Sequence, residues 1–326
     1  MLSRRGLLSA GLSSALTAMG CGFGRRPAAP FRLVVTPWVG NAPFYIAKER
    51  RFFGDVDLRI ASFGTDFDAW RALADQRADF TTGTMFDILR GSEVGVDLQV
   101  ASVTDFSNGA DGIVGAGVER IADLPGKRVG VEVGTLTHFV LIRALERAGV
   151  AEESVRLENM SMDEAILAMD SGKIDAAPFW EPFLGKAASA PGRRVLFTSR
   201  EIPGEILDVV AVQSHAIASR PGFVSTLLEG WERGLRLLVD SPREAMPLAV
   251  KYLEMKPEEL RQALSGIKLV SRDESRRMFD RAATPSIFAA YDNAVRFAKK
   301  HGILTRDPKP PEELFSAGMR AVDAPG

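Results

Sequence analysis

Short hydrophobic runs alternate with helical patterns along the first two thirds of the chain. The runs FRLVVT (31–36), VDLRIAS (56–62) and DLQVASV (97–103) are rich in β-branched residues and predict buried strands. The intervening FYIAKERRFF (44–53) carries apolar residues at helical spacing. Strand, loop and helix in repetition predict parallel sheets with right-handed crossovers.

A second series of the same kind begins near Val118. RVGVEV (128–133) predicts a strand, and HFVLIRALERAG (138–149) predicts a helix that ends at Gly149. DVVAVQSHAI (208–217) predicts a strand that takes the chain away from the second series. The segments after Ser219 are predicted to be helices from the spacing of their apolar residues and from the start and stop signals between them.

These patterns predict a two-lobed α/β protein with a helical C-terminal third. A length of 326 residues suits two domains. We expect residues 31–117 plus 213–326 to form the first lobe and residues 118–212 to form the second. The helical third is expected to fold back onto the first lobe.

The N-terminus has the features of an export signal. Arg4 and Arg5 precede an uncharged stretch, and SRRGLL resembles the twin-arginine export motif. The only cysteine, Cys21, follows Gly20 as in a bacterial lipobox. We therefore predict a signal peptide over 1–20, a tether over 21–30, and lipidation of Cys21 at the outer face of the membrane; the alternative is an ordinary signal peptide with an incidental cysteine.

Composition argues against several functions. A net charge of −1 gives no sign of nucleic-acid binding. Only three histidines occur, without the spacing of a metal site, and no GxSxG motif is present. The sequence therefore predicts no cofactor, no metal and no catalytic residues.

Ligands of open parallel sheets bind beyond the carboxyl ends of the strands, which selects candidate residues by position alone. The candidates are Trp38, Asn41, Thr65, Gly83, Thr84, Gly134, Thr135, Thr137, His138, Trp180, Glu181 and, near the lobe crossings, Asp111 and Asp208.

Two of the candidate loops place a glycine and a hydroxyl just before a helix. They are Gly83-Thr84 and Gly134-Thr135, and free N–H groups at such helix starts favour an anion. We expect the two turns to converge across one gap. The alternative is that Thr84 and Thr137 cap their own helices.

The segment PFWEPF (178–183) places an aromatic ring beside a carboxylate. This pair suits a ligand with an apolar or cationic portion, whereas Trp38, Phe179 and Trp180 are alternatively core aromatics. Asp111 and Asp208 either meet a ligand amine or pair with surface arginines.

The chain resembles the nitrate/sulfonate/taurine type of substrate-binding protein from bacterial ABC importers. The resemblance is carried by WVGNAPFYIAKERRFF (38–53), GADGIV (109–114), IADLPGKRVGV (121–131), GTLTHFVLIRALERAGV (134–150), AMDSGKIDAAPFWEP (168–182) and ILDVVAV (206–212). It implies the type II periplasmic-binding-protein fold, two lobes that close on a ligand, and a monomer that works with a membrane permease and its ATPase.

The resemblance also implies site residues. Thr135, Thr137 and His138 would face the anionic group of the ligand, with Trp38, Trp180 and Glu181 from the other loops. Asn41 departs from the family pattern, in which an aromatic or small residue is frequent. Glu181 suits a zwitterion better than a simple anion such as nitrate.

Three alternatives stay open from the sequence. The first is binding of a thiamine-precursor-type pyrimidine or another heterocycle. The second is an enzyme on the same fold, with His138 and Glu181 as its catalytic pair. The third is a sensory binding module.

Overall fold

The computed structural model describes residues 28–63 and 66–323. Its strands are β1 Phe31–Val35, β2 Leu58–Ser62, β3 Phe80–Thr84, β4 Leu98–Ser107, β5 Asp111–Ala116, β6 Arg128–Val131, β7 Arg156–Asn159, β8 Ala176–Trp180, β9 Arg193–Thr198, β10 Leu207–Gln213 and β11 Ile267–Leu269. They form two sheets, with the orders β11-β4-β10-β3-β1-β2 and β7-β6-β8-β5-β9.

Helices cover both sheets and make up most of the C-terminal third. They are α1 Ala42–Glu49, α2 Asp66–Ala74, α3 Met85–Glu93, α4 Leu136–Ala148, α5 Met162–Asp170, α6 Phe183–Ala188, α7 Ser214–Ser219, α8 Phe223–Asp240, α9 Pro242–Leu253, α10 Pro257–Leu264, α11 Arg272–Met278, α12 Ile287–Lys300, α13 Pro311–Leu314 and α14 Ser316–Asp323. None of the helices in the described ranges has the length and apolar character that a membrane span requires.

The sheets are mixed, which corrects the expectation of wholly parallel sheets. The pairs β1–β2, β1–β3, β6–β7 and β6–β8 are parallel, as the strand–helix repeats predict. In contrast, β10 runs antiparallel to β3 and β4, and β5 runs antiparallel to β8 and β9. β5 and β10 each enter their sheet directly from the other sheet, without an α-helical crossover. A third strand, β11, also runs antiparallel to its neighbour β4 and follows α10.

The chain passes between the sheets twice. β4 lies in the first sheet and β5 in the second, and β9 lies in the second and β10 in the first. The crossings therefore fall within residues 107–111 and 198–207, some residues before the predicted boundaries at 117/118 and 212/213. The division into two lobes stays a prediction.

The same hydrogen bond between an arginine N–H and an aspartate carboxylate occurs at the start of one strand in each sheet. At the start of β1, the Arg32 N–H donates to the Asp79 carboxylate at 2.8 Å, and at the start of β6 the Arg128 N–H donates to Asp175 at the same distance. Asp79 directly precedes β3 and Asp175 directly precedes β8, so both hydrogen bonds lie at the edge of the sheet opposite the carboxyl ends of the strands.

The helical third packs tightly against the first sheet's helices. The ring of Trp231 on α8 is 1% exposed and lies 4.8 Å from the ring of Phe44 on α1. A Cβ atom on Gly234 would lie 2.1 Å from the carbonyl oxygen of Pro43, so only glycine permits this approach of α8 to α1.

Candidate functional site

A cavity of about 830 Å³ lies between the two sheets. Residues 36–39 and 82–84 line it from the first sheet, and residues 135–137, 161–163 and Trp180 line it from the second. These segments form or directly follow the carboxyl ends of strands, where a sheet of this class binds ligands. The cavity has the size of a small-molecule site.

The two glycine–hydroxyl turns converge on this cavity. Gly83 and Thr84 line it on one side, and Thr135 and Thr137 line it on the other. The convergence across one gap follows the expectation from the sequence.

The N-terminus of α4 has no side-chain cap. Thr135 occupies the N-cap position, but its hydroxyl donates to the Glu132 carbonyl at 2.7 Å and lies 2.8 Å from the Thr137 hydroxyl. The capping alternative therefore fails for this helix. Its first N–H groups lie at the cavity wall, where the helix dipole favours negative charge.

Thr84 acts as a helix cap. It forms a capping box with Asp87 at the start of α3, in which its hydroxyl donates to the carboxylate at 2.6 Å and accepts from the Asp87 N–H at 3.2 Å. For this residue the capping alternative is correct. The Thr84 hydroxyl is therefore already engaged, although the residue lines the cavity.

Two tryptophans meet edge to face at the cavity, one from each sheet. The rings of Trp38 and Trp180 lie 6.2 Å apart at 83°. Phe183 packs on Trp180 at 5.4 Å, and the Trp38 Nε1–H donates to Asp105 at 3.2 Å. Both tryptophans are partly exposed, so the reading of Trp38 and Trp180 as core aromatics is not supported. Phe179 is 1% exposed and belongs to the core.

Three buried carboxylates gather beside the tryptophans. Asp105 on β4 and Asp208 on β10 are directly opposite in the antiparallel ladder, and Asp111 begins β5. Their exposures are 0%, 5% and 1%. Asp111 and Asp208 line the cavity, and Asp105 lies behind Trp38. Neither Asp111 nor Asp208 pairs with an arginine among the described residues; their charged neighbours are other carboxylates.

The surroundings raise the pKa of each of these three carboxyl groups, so each holds its proton to a higher pH than usual. Burial raises the pKa of Asp105 to about 7 and the pKa of Asp111 to about 7. Burial and the neighbouring carboxylates raise the pKa of Asp208 well above its usual value, and its carboxyl group is hydrogen-bonded to that of Asp105. The Oδ2 atom of Asp111 is buried without a hydrogen-bond partner among the described residues.

The cavity wall as a whole is acidic. Its acidic residues are Asp87, Asp111, Glu132, Asp163 and Asp208, and Arg90 is the one lysine or arginine among the described lining residues. Burial raises the pKa of Asp87 as well. A site with this balance of charge favours a cationic or hydrogen-bond-donating group.

Asn41 lines the cavity and is 2% exposed. Its side-chain oxygen accepts the Thr82 hydroxyl at 2.7 Å and its side chain is hydrogen-bonded to Tyr45. This internal network positions Asn41 at the wall, so its polar group is partly used within the protein.

Three predicted site residues lie elsewhere. Glu181 accepts the Gly185 N–H at 3.1 Å and is not on the cavity wall, since it closes the first turn of α6. Gly134 and His138 lie behind the α4 turn, where the Gly134 N–H donates to His138 Nδ1 at 3.2 Å. His138 is 2% exposed, and burial lowers its pKa. Glu181 and His138 therefore do not form the pair that the enzyme alternative requires at this cavity.

Thr65 and Cys21 lie outside the described residues. Asp105 and Asp87 were missed by the sequence analysis, which considered residues after strand ends and near the lobe crossings. The signal for Asp105 is a charged residue inside the apolar run LQVASVTDFS (98–107), where an unpaired acid is costly unless it has a role.

The family model described as "NMT1/THI5 like" matches residues 38–245, which is more than half of the chain. A protein of Brucella abortus (strain 2308) named as a binding protein is 26% identical over 201 residues, covering 59% of this chain and 61% of the relative. A protein of Bacillus subtilis (strain 168) named for binding aliphatic sulfonates is 26% identical over 164 residues, covering 48% of this chain and 49% of the relative. The matches thus span less than two thirds of these relatives' own length.

Solved structures show the same fold. The periplasmic aliphatic sulphonate binding protein of Escherichia coli superposes with a TM-score of 0.71 at 18% identity, covering 90% of this chain and 97% of that chain. A desulfurization enzyme superposes with a TM-score of 0.65 at 16% identity, covering 90% of this chain and 99% of that chain. The predicted periplasmic-binding-protein fold is confirmed, and this fold supports both binding and catalysis.

Proposed function

The chain belongs to the NMT1/THI5-like family, and from that premise we propose that it is an extracytoplasmic solute-binding protein of an ABC importer. It captures a small organic solute in the cavity between its sheets and delivers it to a membrane permease and its ATPase. The observation that carries the proposal is that both sheets contribute their strand ends, and one tryptophan each, to a single cavity of about 830 Å³.

The charge of the wall narrows the class of solute. Two unit charges 4 Å apart interact by about 4 kcal/mol at the effective dielectric constant of a protein surface. One helix N-terminus contributes only about 0.3–1 kcal/mol to an anion. Once Asp111 is ionised, above a pH of about 7, its repulsion of a simple anion outweighs the attraction of α4, so nitrate or a plain alkanesulfonate is disfavoured there.

A solute that carries a protonated amine fits both walls. Its N–H groups donate to Asp111 and Asp208, and the Trp38 and Trp180 rings flank the cation. If the solute also carries a sulfonate or carboxylate, that group lies at the N–H groups of Leu136 and Thr137. An aminosulfonate of the taurine type combines these features and agrees with the sulfonate named for the Bacillus subtilis relative.

A second class of solute is an aminopyrimidine-type heterocycle. The observation that favours it is the pair of partly exposed tryptophans, whose rings would flank a flat aromatic ring as well as an ammonium group. An exocyclic amine on the ring would again donate to the buried carboxylates.

We propose binding without chemical change of the solute. The described lining residues include neither cysteine nor histidine. The described part of the wall therefore has no hydroxyl–imidazole or thiol–imidazole pair, and a hydrolytic role would have to use the buried carboxyl groups of Asp111 and Asp208 as acid, base or nucleophile. A catalytic role would reveal itself as turnover of the bound solute.

Export and anchoring belong to the same proposal. The signal at 1–20 directs the chain out of the cytoplasm, and a lipid on Cys21 holds it at the membrane beside the permease through the tether 21–30. A sensory role on the same fold would instead need a signalling partner.

Ligand-dependent stability tests the proposal. The mature chain is purified, its co-purifying small molecules are identified by mass spectrometry, and its melting temperature is measured with aminosulfonates, aminopyrimidines, plain sulfonates and nitrate. A solute at a hundredfold excess over its Kd stabilises the folded state by about 2.7 kcal/mol. We expect amine-bearing solutes to raise the melting temperature and to be recovered unchanged.

Two results would contradict the proposal. One is a bound solute that is converted to a product, which would make the protein an enzyme. The other is the absence of any stabilisation across the panel together with the absence of a co-purifying molecule.

A further inference from the structure

Two histidines and a glutamate meet behind the α4 turn, outside the cavity. His138 lies in the first turn of α4, Glu152 lies just after that helix, and His301 follows the end of α12. One ligand atom from each residue lies within 4.8 Å of the other two. The His301 Nε2 atom is 3.1 Å from Glu152, and the His138 Nε2 atom is 3.6 Å from it.

His301 is oriented like a metal ligand. Its Nδ1 atom lies 2.9 Å from the Phe297 carbonyl oxygen, which can only accept a hydrogen bond. The proton of the neutral ring is therefore on Nδ1, and the lone pair of Nε2 faces the Glu152 carboxylate. In this neutral form two acceptors face each other, an arrangement that is relieved either by a metal cation or by a second proton on the ring that pairs with Glu152.

His138 supplies an independent observation. Its side chain is 3% exposed, and its Nε2 atom is buried without a hydrogen-bond partner among the described residues. This atom points into the space shared with Glu152 and His301. A buried polar nitrogen without a partner is costly unless another group completes its environment.

We propose that His138, Glu152 and His301 form a binding site for a Zn²⁺-like divalent transition metal, separate from the solute cavity. Zinc bonds of about 2.0–2.2 Å at a tetrahedral angle require ligand atoms roughly 3.3 Å apart. The two separations to Glu152, 3.1 Å and 3.6 Å, are close to this value, and the two imidazole nitrogens, which lie within 4.8 Å of each other, would approach on binding. Water would take the fourth position. The glutamate supplies one negative charge, and the imidazoles bind as neutral ligands.

The metal would join two parts of the fold. His138 belongs to α4, which packs on the second sheet, whereas His301 ends α12. The Phe297 ring on α12 lies 5.4 Å from Phe86 on α3 and 5.4 Å from Phe139 on α4. A metal at this junction would fasten α12 to α4 beside an existing aromatic contact.

The site is also connected to the binding turn. The Gly134 N–H donates to His138 Nδ1, which places the proton of the neutral ring on Nε2. Coordination through Nε2 moves that proton to Nδ1, so Gly134 loses its acceptor and the turn before α4 adjusts. Lys300, the remaining charged group at Glu152, is 55% exposed and 3.3 Å away, so it can turn to solvent.

Metal titration of the untagged mature chain tests the site. After chelator treatment and dialysis, Zn²⁺ binding is measured by calorimetry and Co²⁺ binding by absorption spectroscopy. We expect one equivalent of Zn²⁺ per chain and the intense visible bands of tetrahedral Co²⁺ with nitrogen and oxygen ligands. His301→Gln and Glu152→Gln should each weaken Zn²⁺ binding by at least about tenfold.

His215→Gln is the matched control, because His215 is exposed and lies outside the cluster. It should keep the affinity of the wild-type chain, and circular dichroism should show that every variant is folded. Equal affinities in His301→Gln and His215→Gln, an octahedral Co²⁺ spectrum, or no stoichiometric binding by the folded wild-type chain would each overturn the proposal. None of these results bears on solute binding in the cavity.

Discussion

Replacing Asp111 with asparagine should change how the stability of the ligand-free protein depends on pH. The Asp111 carboxyl group is 1% exposed, and one of its oxygens has no hydrogen-bond partner among the described residues. Burial raises its pKa from 3.8 to about 7 in the folded state. The native protein therefore binds a proton between these pH values that the unfolded chain has released.

The sign and size of the effect follow from this gap. Because the folded pKa is the higher one, the stabilisation is complete below pH 3.8 and is lost as pH rises through about 7. At 1.36 kcal/mol per unit, the whole shift corresponds to about 4 kcal/mol, and the part between pH 5 and pH 8 to about 3 kcal/mol. The neighbouring charge on Asp111 also raises the pKa of Asp208, so its removal relieves that residue as well.

Urea unfolding at pH 5 and pH 8 measures the effect. The wild-type chain, freed of solute by unfolding and refolding, should lose about 3 kcal/mol more than Asp111→Asn over this interval. Asp163→Asn is the matched control, since Asp163 is an exposed acid at the rim of the same cavity. If the free energy of unfolding falls equally in Asp111→Asn and in the wild-type chain between pH 5 and pH 8, the pKa of Asp111 is not raised by burial as we describe.

Three further substitutions separate binding from folding. Trp180→Ala should weaken solute binding by about 2 kcal/mol or more, measured by calorimetry, because this partly exposed ring lines the cavity; a loss of folding would assign Trp180 to the core. Trp231→Ala should cost about 3–5 kcal/mol in urea unfolding, since the ring is 1% exposed, and a stability unchanged from wild type would contradict that packing. Gly234→Ala should lower stability by about 1–3 kcal/mol, because its Cβ atom would lie 2.1 Å from the Pro43 carbonyl oxygen; a stabilised variant would refute this close contact.

The repetition of strands and helices was sufficient to predict the class of fold. Hydrophobic periodicity locates β1, β2, β4 and β6, because each of these strands coincides with a short apolar run. It could not show that β5 and β10 run antiparallel, because direction depends on how the chain enters the sheet rather than on which residues are apolar.

Part of the candidate site could be predicted from the rule that ligands bind beyond the carboxyl ends of strands. Position after a strand end correctly selects Trp38, Thr135 and Trp180 for the cavity wall. It also selects His138, whose side chain turns away into the interior, because sequence position does not determine the direction of a side chain on the first helical turn. The gathering of Asp105, Asp111 and Asp208 depends on strand pairing between distant segments, which no local pattern reveals.

The His138–Glu152–His301 cluster could not be predicted from the sequence for a related reason. Glu152 and His301 are separated by 149 residues, so no spacing motif connects them. Only the packing of α12 against α4 brings them together.

Calorimetry with matched pairs of solutes tests the central claim most directly. Each pair contains the same sulfonate, carboxylate or heterocycle with and without an amine, titrated into the wild-type chain at pH 8, where ionised carboxylates are most available. Our account predicts that the amine-bearing member binds more tightly in every pair that binds. Equal or tighter binding of the amine-free members would contradict it.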